Sequence, residues 1–197
     1  MDLQLADKVF ILTGATRGLG RATADVLVAE GARVVISGRS PEAVEAAVAE
    51  LGDGARGVVA DNSDPTAPGR LIAAAQESFG RLDGALISVG GPPKGPVTGI
   101  TDEQWSTAFE SVFLGAVRLS REICTALGDG GSLALVLSSS VRAPLADMAI
   151  SNGLRPGLAM VAKTPADELG PRGRARQRAA ARSDRHRTGG RARRSVG

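Results

Sequence analysis

The chain has 197 residues, 43% hydrophobic and 23% charged, enough apolar material for one ordinary domain with a buried core. It holds no Tyr, one Cys and one His, which excludes a tyrosine acid, a disulfide framework and a His-rich metal site; no metal is expected. The net charge of +3 hides a split, since residues 1–171 carry −6 and residues 172–197 carry +9. No apolar run reaches the roughly 18 residues of a membrane span. Met1–Asp7 has neither the basic start nor the apolar stretch of a signal peptide. A cytoplasmic setting without a membrane partner is expected.

In chain order, Lys8–Thr13 is a short apolar run stopped by Gly14 and predicts a buried strand. Arg17–Glu30 has apolar residues at Leu19, Ala22, Ala24, Val26, Leu27 and Ala29 and predicts a helix, closed by Gly31. Arg33–Ser37 is a second strand. Ser40-Pro41-Glu42 opens a helix to Leu51, with Ser40 as N-cap and Pro41 in the first turn. Arg56–Ala60, Gly84–Val89 and Ser132–Leu137 are the third, fourth and fifth strands. Helices over Pro65–Phe79 and Thr101–Leu127 separate them, the second capped by Thr101 with Glu103 behind it. Met148–Leu169 is a further helix. The alternation predicts an α/β fold, a doubly wound parallel sheet with helices on both faces. The pattern stops at Gly170, so the sheet is expected to be truncated after the fifth strand and its following helix. Residues 1–171 then form one α/β domain, and 172–197 an Arg-rich tail expected to be disordered.

Between the first strand and helix sits Thr13-Gly14-Ala15-Thr16-Arg17-Gly18-Leu19-Gly20. Its glycines let the backbone turn sharply and approach a pyrophosphate without Cβ clashes. The helix N-terminus then offers free N–H groups and partial positive charge to the phosphates. All seven residues from Gly14 through Ala15, Thr16, Arg17, Gly18 and Leu19 to Gly20 are candidate cofactor contacts.

This loop resembles the TGxxxGxG loop of the short-chain dehydrogenase/reductase family, and the resemblance runs from about Lys8 to Gly173. It implies a Rossmann-type fold, a nicotinamide cofactor, and hydride transfer to or from a carbonyl or alcohol of a small molecule. It also implies a homo-oligomer for the intact form, built on the two long helices. A dehydrogenase that prefers NAD places an acid after the second strand to hold the ribose 2′-OH. Here that strand ends Ser37-Gly38-Arg39-Ser40. Arg39 and Arg17 suit a 2′-phosphate, so NADP is the expected cofactor. Asp61 matches the family's adenine-contacting Asp, or else caps the end of its strand; Asn62 follows it. The family's NNAG after the fourth strand reads Ser88-Val89-Gly90-Gly91, which puts Ser88 and Gly90 in the cofactor set.

The family's catalytic set is Ser, Tyr and Lys, usually with an Asn. Ser138 matches the serine best, with Ser139 as the other candidate. The tyrosine position is Ser151 and the lysine position Arg155, so YxxxK has become SxxxR. The Asn position falls at Val112. A Ser hydroxyl is a far weaker acid than Tyr at about pKa 10. Arg155 stays protonated and can hold a hydroxyl but cannot donate a proton. Asp147 and Lys94 sit in loops expected near the site. Two functions follow as expectations: an NADP-dependent oxidoreductase acting through Ser138, Ser151 and Arg155, or alternatively a non-catalytic NADP-binding protein or inactive frameshifted product.

The tail has ten Arg and no Leu, Ile, Phe or Met, so it offers nothing for a buried strand. No aromatic interleaves its arginines to stack on bases, and no specific nucleic-acid partner is expected. One extra nucleotide near codon 173, in the gene or as a sequencing error, would account for it. Codons exist for Gln177–Ala192 that, read one base later, spell NGLLPGRIDTERVAE, the strand end, PGxxxT loop and helix of the family.

Overall fold

The structure is a computed structural model that describes residues 3–169 and 176–182, with the backbone alone at 165–169 and 176–182. Five apolar runs form strands: β1 (Val9–Leu12), β2 (Arg33–Gly38), β3 (Ala55–Val59), β4 (Gly84–Ser88) and β5 (Ser132–Ser138). All pair parallel in the order β3-β2-β1-β4-β5. Between them run α1 (Gly18–Ala29), α2 (Pro41–Leu51), α3 (Ala67–Phe79), α4 (Asp102–Ala108) and α5 (Gly115–Ala126), and α6 (Ala149–Leu169) follows β5. This is the predicted Rossmann-type α/β architecture.

Parallel strands are covered on both faces, which is why they read as apolar runs rather than alternations. Their period of two still sorts the side chains. Val9, Ile11, Val35, Ile87 and Leu135 pack with Leu71 of α3, Leu119 and Ile123 of α5, and Leu158 of α6. Leu12, Val34 and Ile36 pack on the opposite face with Ala24 of α1 and with Ala47 and Leu51 of α2. Burying each such Leu, Ile or Val contributes about 1.5–3 kcal/mol.

The caps follow local chemistry. The Ser40 hydroxyl accepts the Ala43 amide at 3.1 Å. Thr101 starts α4, but its reciprocal partner is Gln104 and not Glu103: Gln104 N donates to Thr101 Oγ1 at 3.3 Å and Thr101 N to Gln104 Oε1 at 3.0 Å. The expected single helix Thr101–Leu127 is instead α4 and α5 joined by a π-helical turn, Phe109–Leu114. Such a turn inserts a residue and re-aims the side chains around it, which periodicity alone does not reveal. Just after it, a Cβ at Gly115 would overlap the Asn62 carbonyl, so the helix lies directly on the segment after β3.

A sixth strand, β6 (Arg176–Arg182), pairs parallel with β5 from Ser132↔Arg176 to Ser138↔Arg182. The sequence pattern placed no strand there. Ladder formation requires backbone amides and carbonyls, which this proline-free stretch supplies, whereas the expectation weighed only aliphatic burial. The boundary expected at 171/172 and residues 183–197 of the tail lie outside the described residues. No helix of the described residues is long and apolar enough to cross a membrane.

At the opposite end from the crevice, Asp83 joins β1 to the segment before β4. Its carboxylate accepts the Val9 amide at 2.9 Å, Arg81 at 2.6 and 2.8 Å, and Lys8 at 3.3 Å. Burial pushes its pKa up, but the hydrogen bonds from Arg81, Val9 and Lys8 outweigh that and leave it below the usual value. A lowered folded pKa means stabilisation that is fully present above the unfolded value of about 3.9 and is lost as pH falls through the folded value. Asp83→Ala should therefore destabilise the chain by about 1–3 kcal/mol at pH 7. Urea denaturation at pH 7 and pH 3 should show that gap shrinking at the lower pH; an equal gap would mean the carboxylate charge contributes nothing.

Candidate dinucleotide site

Strand order reverses between β1 and β4, so the connections leaving them diverge and a crevice opens at their C-terminal ends. Thr13 closes its floor. The Thr13 hydroxyl donates to the Ser88 carbonyl at 3.0 Å and accepts the Ser88 amide at 2.9 Å. Gly14 follows at φ +58°, where an added Cβ would stand 2.9 Å from the same Ser88 carbonyl. A Cβ at Gly20 would lie 2.8 Å from Gly14 O, so α1 starts directly against the turn. Gly18 differs: its φ is +63°, and nothing lies within 4 Å of where its Cβ would be.

The start of α1 has no internal acceptor for its amides. Arg17 at the N-cap makes no side-chain cap bond, and no acid stands in the first turn. Unpaired N–H groups at a helix start, beside an open glycine turn, favour an anion. A pyrophosphate fits this donor set. Leu19 is 44% exposed on the same turn.

Beside the loop is a cavity of about 540 Å³, lined by Arg39, Asp61, Asn62, Gly90, Gln104 and Val112 among others. Arg39 is exposed at the end of β2. Asp61 Oδ1 accepts Ser63 N at 2.9 Å and Ser63 Oγ at 2.7 Å. These bonds, the backbone one foremost, hold the Asp61 pKa below the usual carboxylate range, with Arg39 adding attraction and burial opposing. Asn62 Nδ2 donates to Ser88 O at 3.3 Å. Thus Arg39, Asp61, Asn62, Ser88 and Gly90 are brought together at one end of the crevice.

The three residues expected in catalysis are placed differently. Ser138 ends β5, half-buried, and its Oγ accepts the Ser140 amide at 3.2 Å. Ser151 is 3% exposed, and its hydroxyl meets that of Ser140 at 3.2 Å. Arg155 is 6% exposed. Its Nη1 donates to Val136 O at 2.9 Å, and its Nη2 to Gly90 O at 3.2 Å and Val89 O at 3.5 Å. Its Nε is buried without a partner, and burial pushes the guanidinium pKa down. None of the three lines the cavity. Val112, at the Asn position, is 3% exposed within the π-helical turn and joins the core. Lys94 and Asp147 flank a tie between two loops: Gly95 N donates to Asp147 O at 2.8 Å and Ala149 N to Gly95 O at 3.1 Å.

Sequence reasoning passed over Ser140 and Asn152. Ser140 stood in the Ser138–Ser140 run and Asn152 next to Ser151, but neither position signals a partner seven or eleven residues away. Among the described residues no group of His, Cys, Asp and Glu could hold a metal.

The reversed strand order with a glycine turn from β1 to α1 defines a dinucleotide-binding α/β protein. Residues 8–176 match the profile of the short chain dehydrogenases, and the chain belongs to that family. An uncharacterized oxidoreductase of Methylorubrum extorquens is 31% identical over 173 residues, 86% of this chain and 70% of its own length. An uncharacterized oxidoreductase of Bacillus subtilis is 37% identical over 123 residues, 61% of this chain; the chain spans only 46% of that relative's length. A crystal structure of a 3-ketoacyl-(acyl-carrier-protein) reductase from Brucella melitensis, complexed with NADH, superimposes with a TM-score of 0.85 at 25% identity, over 91% of this chain and 76% of that one.

Gly14→Ala tests the turn. The added methyl meets the Ser88 carbonyl in a backbone conformation that favours glycine. It should cost about 1–3 kcal/mol, read as a lower urea midpoint, whereas Gly18→Ala, with open space around it, should cost less.

Proposed function

We propose that the chain is an NADP(H)-dependent oxidoreductase that interconverts a carbonyl and an alcohol on a small molecule. The observation that carries this is the uncapped start of α1 behind an open Gly18, with Arg39 rather than an acid at the end of β2. In this reading the amides at the start of α1, from Arg17 to Gly20, hold the pyrophosphate, while the Ala15 amide is held by the Ser37 carbonyl. Arg17 and Arg39 hold the 2′-phosphate, Arg39 with the bidentate geometry that guanidinium offers to phosphate. Asp61 keeps one carboxylate oxygen on Ser63 and uses the other for adenine. Gly90 leaves room against the ribose side of the cleft, because nothing lies within 4 Å of where its Cβ would be.

When bound, the nicotinamide gives or takes hydride at the substrate carbon. Ser138, half-buried at the end of β5, orients the substrate oxygen by hydrogen bonding. No phenol exists in the chain, so the proton that accompanies hydride passes between the substrate oxygen and water at Ser138. Ser151 supports Ser140 through their hydroxyl contact, and Ser140 in turn donates its amide to Ser138. Self-association on the long helical stretch Thr101–Leu127 and on α6 completes the proposal, supported by Phe109 of the π-helical turn at 43% and Met160 of α6 at 63% exposure.

Titration of the full chain should give tighter binding of NADPH than of NADH, and Arg39→Asp should reverse the order; equal affinities in the parent chain would sink the NADP assignment. A carbonyl panel monitored at the NADPH absorbance tests turnover, and Ser138→Ala should lower the rate by about tenfold or more if the hydroxyl orients the substrate. Light scattering should report a dimer or larger, with Phe109→Glu moving it toward monomer.

A further inference from the structure

One helical turn at the start of α6 spends all its polar side chains on internal ties. Ser151 holds Ser140. The Asn152 amide pairs both ways with one residue of the preceding loop, accepting Leu145 N at 3.0 Å and donating to Leu145 O at 2.8 Å. Arg155 reaches furthest, to Val136 in β5 and to Val89 and Gly90 just beyond β4. Three separate segments are thereby fastened to one rigid element.

We propose that Arg155 is a positioning residue, whose guanidinium fork fixes the Val89–Gly90 carbonyls against β5 and so sets the wall of the cleft. The geometry explains why arginine stands here. The acceptors belong to two neighbouring strand ends, and a planar fork with donors on separate nitrogens spans them. A lysine ammonium is a single point with no second nitrogen to reach across. No carboxylate pairs with Arg155 among the described residues, so carbonyl dipoles alone offset the buried charge, and each is held in place by it. Gly90, one of the acceptors, lines the 540 Å³ cavity. Val89 packs in the core, but Gly90 and Gly91 have open space where a Cβ would be, so beyond Val89 little side-chain packing holds the backbone without the fork. Arg155 thus acts on a dinucleotide through Gly90.

The effect on a dinucleotide rests on the function proposed above; the effect on the backbone does not. The test uses the full chain with Arg155→Met and Arg155→Lys. Amide hydrogen exchange should quicken by about tenfold in peptides covering Ser88–Gly91, the loss expected from removing charged hydrogen bonds, and stay unchanged in β1 and β2. The Lys variant keeps the charge without the fork and should exchange nearly as fast as the Met variant. NADPH affinity should fall by about tenfold, and adenosine 2′,5′-bisphosphate, which occupies the Arg39 and Asp61 end of the crevice that Gly90 also lines, should weaken with it. Unchanged affinity for both ligands would show that Gly90 does not carry the effect, and faster exchange throughout would leave Arg155 a general stabiliser; either result would overturn the proposal. So would full rescue by lysine. If the parent binds neither nucleotide, the cofactor reading fails, and the exchange data still decide the role of Arg155. Should the Met variant not fold, the Lys variant carries the same comparison.

Discussion

The close approach of β1 and β4 at their C-terminal ends is the constraint from which the site follows. Two hydrogen bonds between Thr13 and the Ser88 backbone hold these strand ends together. Gly14 is required at once, because a side chain would collide with the carbonyl that Thr13 engages. The chain then turns through Ala15, Thr16 and Arg17 into α1, and Gly20 lets that helix begin against the turn. An uncapped helix start over the crevice is the outcome, and with it a preference for an anion.

The same strand ends carry the second half of the site. Asn62 donates to the Ser88 carbonyl that Thr13 also engages, so the segment after β3 and the glycine turn share one anchor. Arg155 reaches Val89 and Gly90, the residues next along the chain. Each contact is modest alone. Together they bind four segments, after β1, β3, β4 and β5, into one frame at the mouth of the sheet.

The departure from the family's YxxxK is a change of job as well as of residue. A tyrosine phenol would be long enough to reach beyond the helix, whereas the Ser151 hydroxyl ends close to its own backbone and pairs with Ser140. Arginine in place of lysine exchanges a mobile point charge for a planar fork. Val112 completes the change by placing an aliphatic side chain in the core at the π-helical turn. In the proposed reaction, chemistry at the substrate is then left to Ser138 and water.

The sequence by itself determined the element order, the parallel sheet, the phosphate loop and the charge at Arg39. These are local properties: an apolar run, a glycine at a forced turn, a cap residue and an absent acid are all visible within a few residues. It also showed that the tyrosine was missing. Only the tertiary structure decided the rest. The π-helical turn at Phe109–Leu114 inserts one residue into an otherwise continuous helix, a change of phase that the short apolar pattern on either side does not reveal. The pairing of Ser151 with Ser140, of Asn152 with Leu145 and of Arg155 with Val89 and Gly90 joins residues up to 66 apart. β6 pairs through its backbone, so its side chains carried no sign of a strand. Where a hydrogen bond ends is set by which segments the sheet brings side by side, and no local pattern of residues records that.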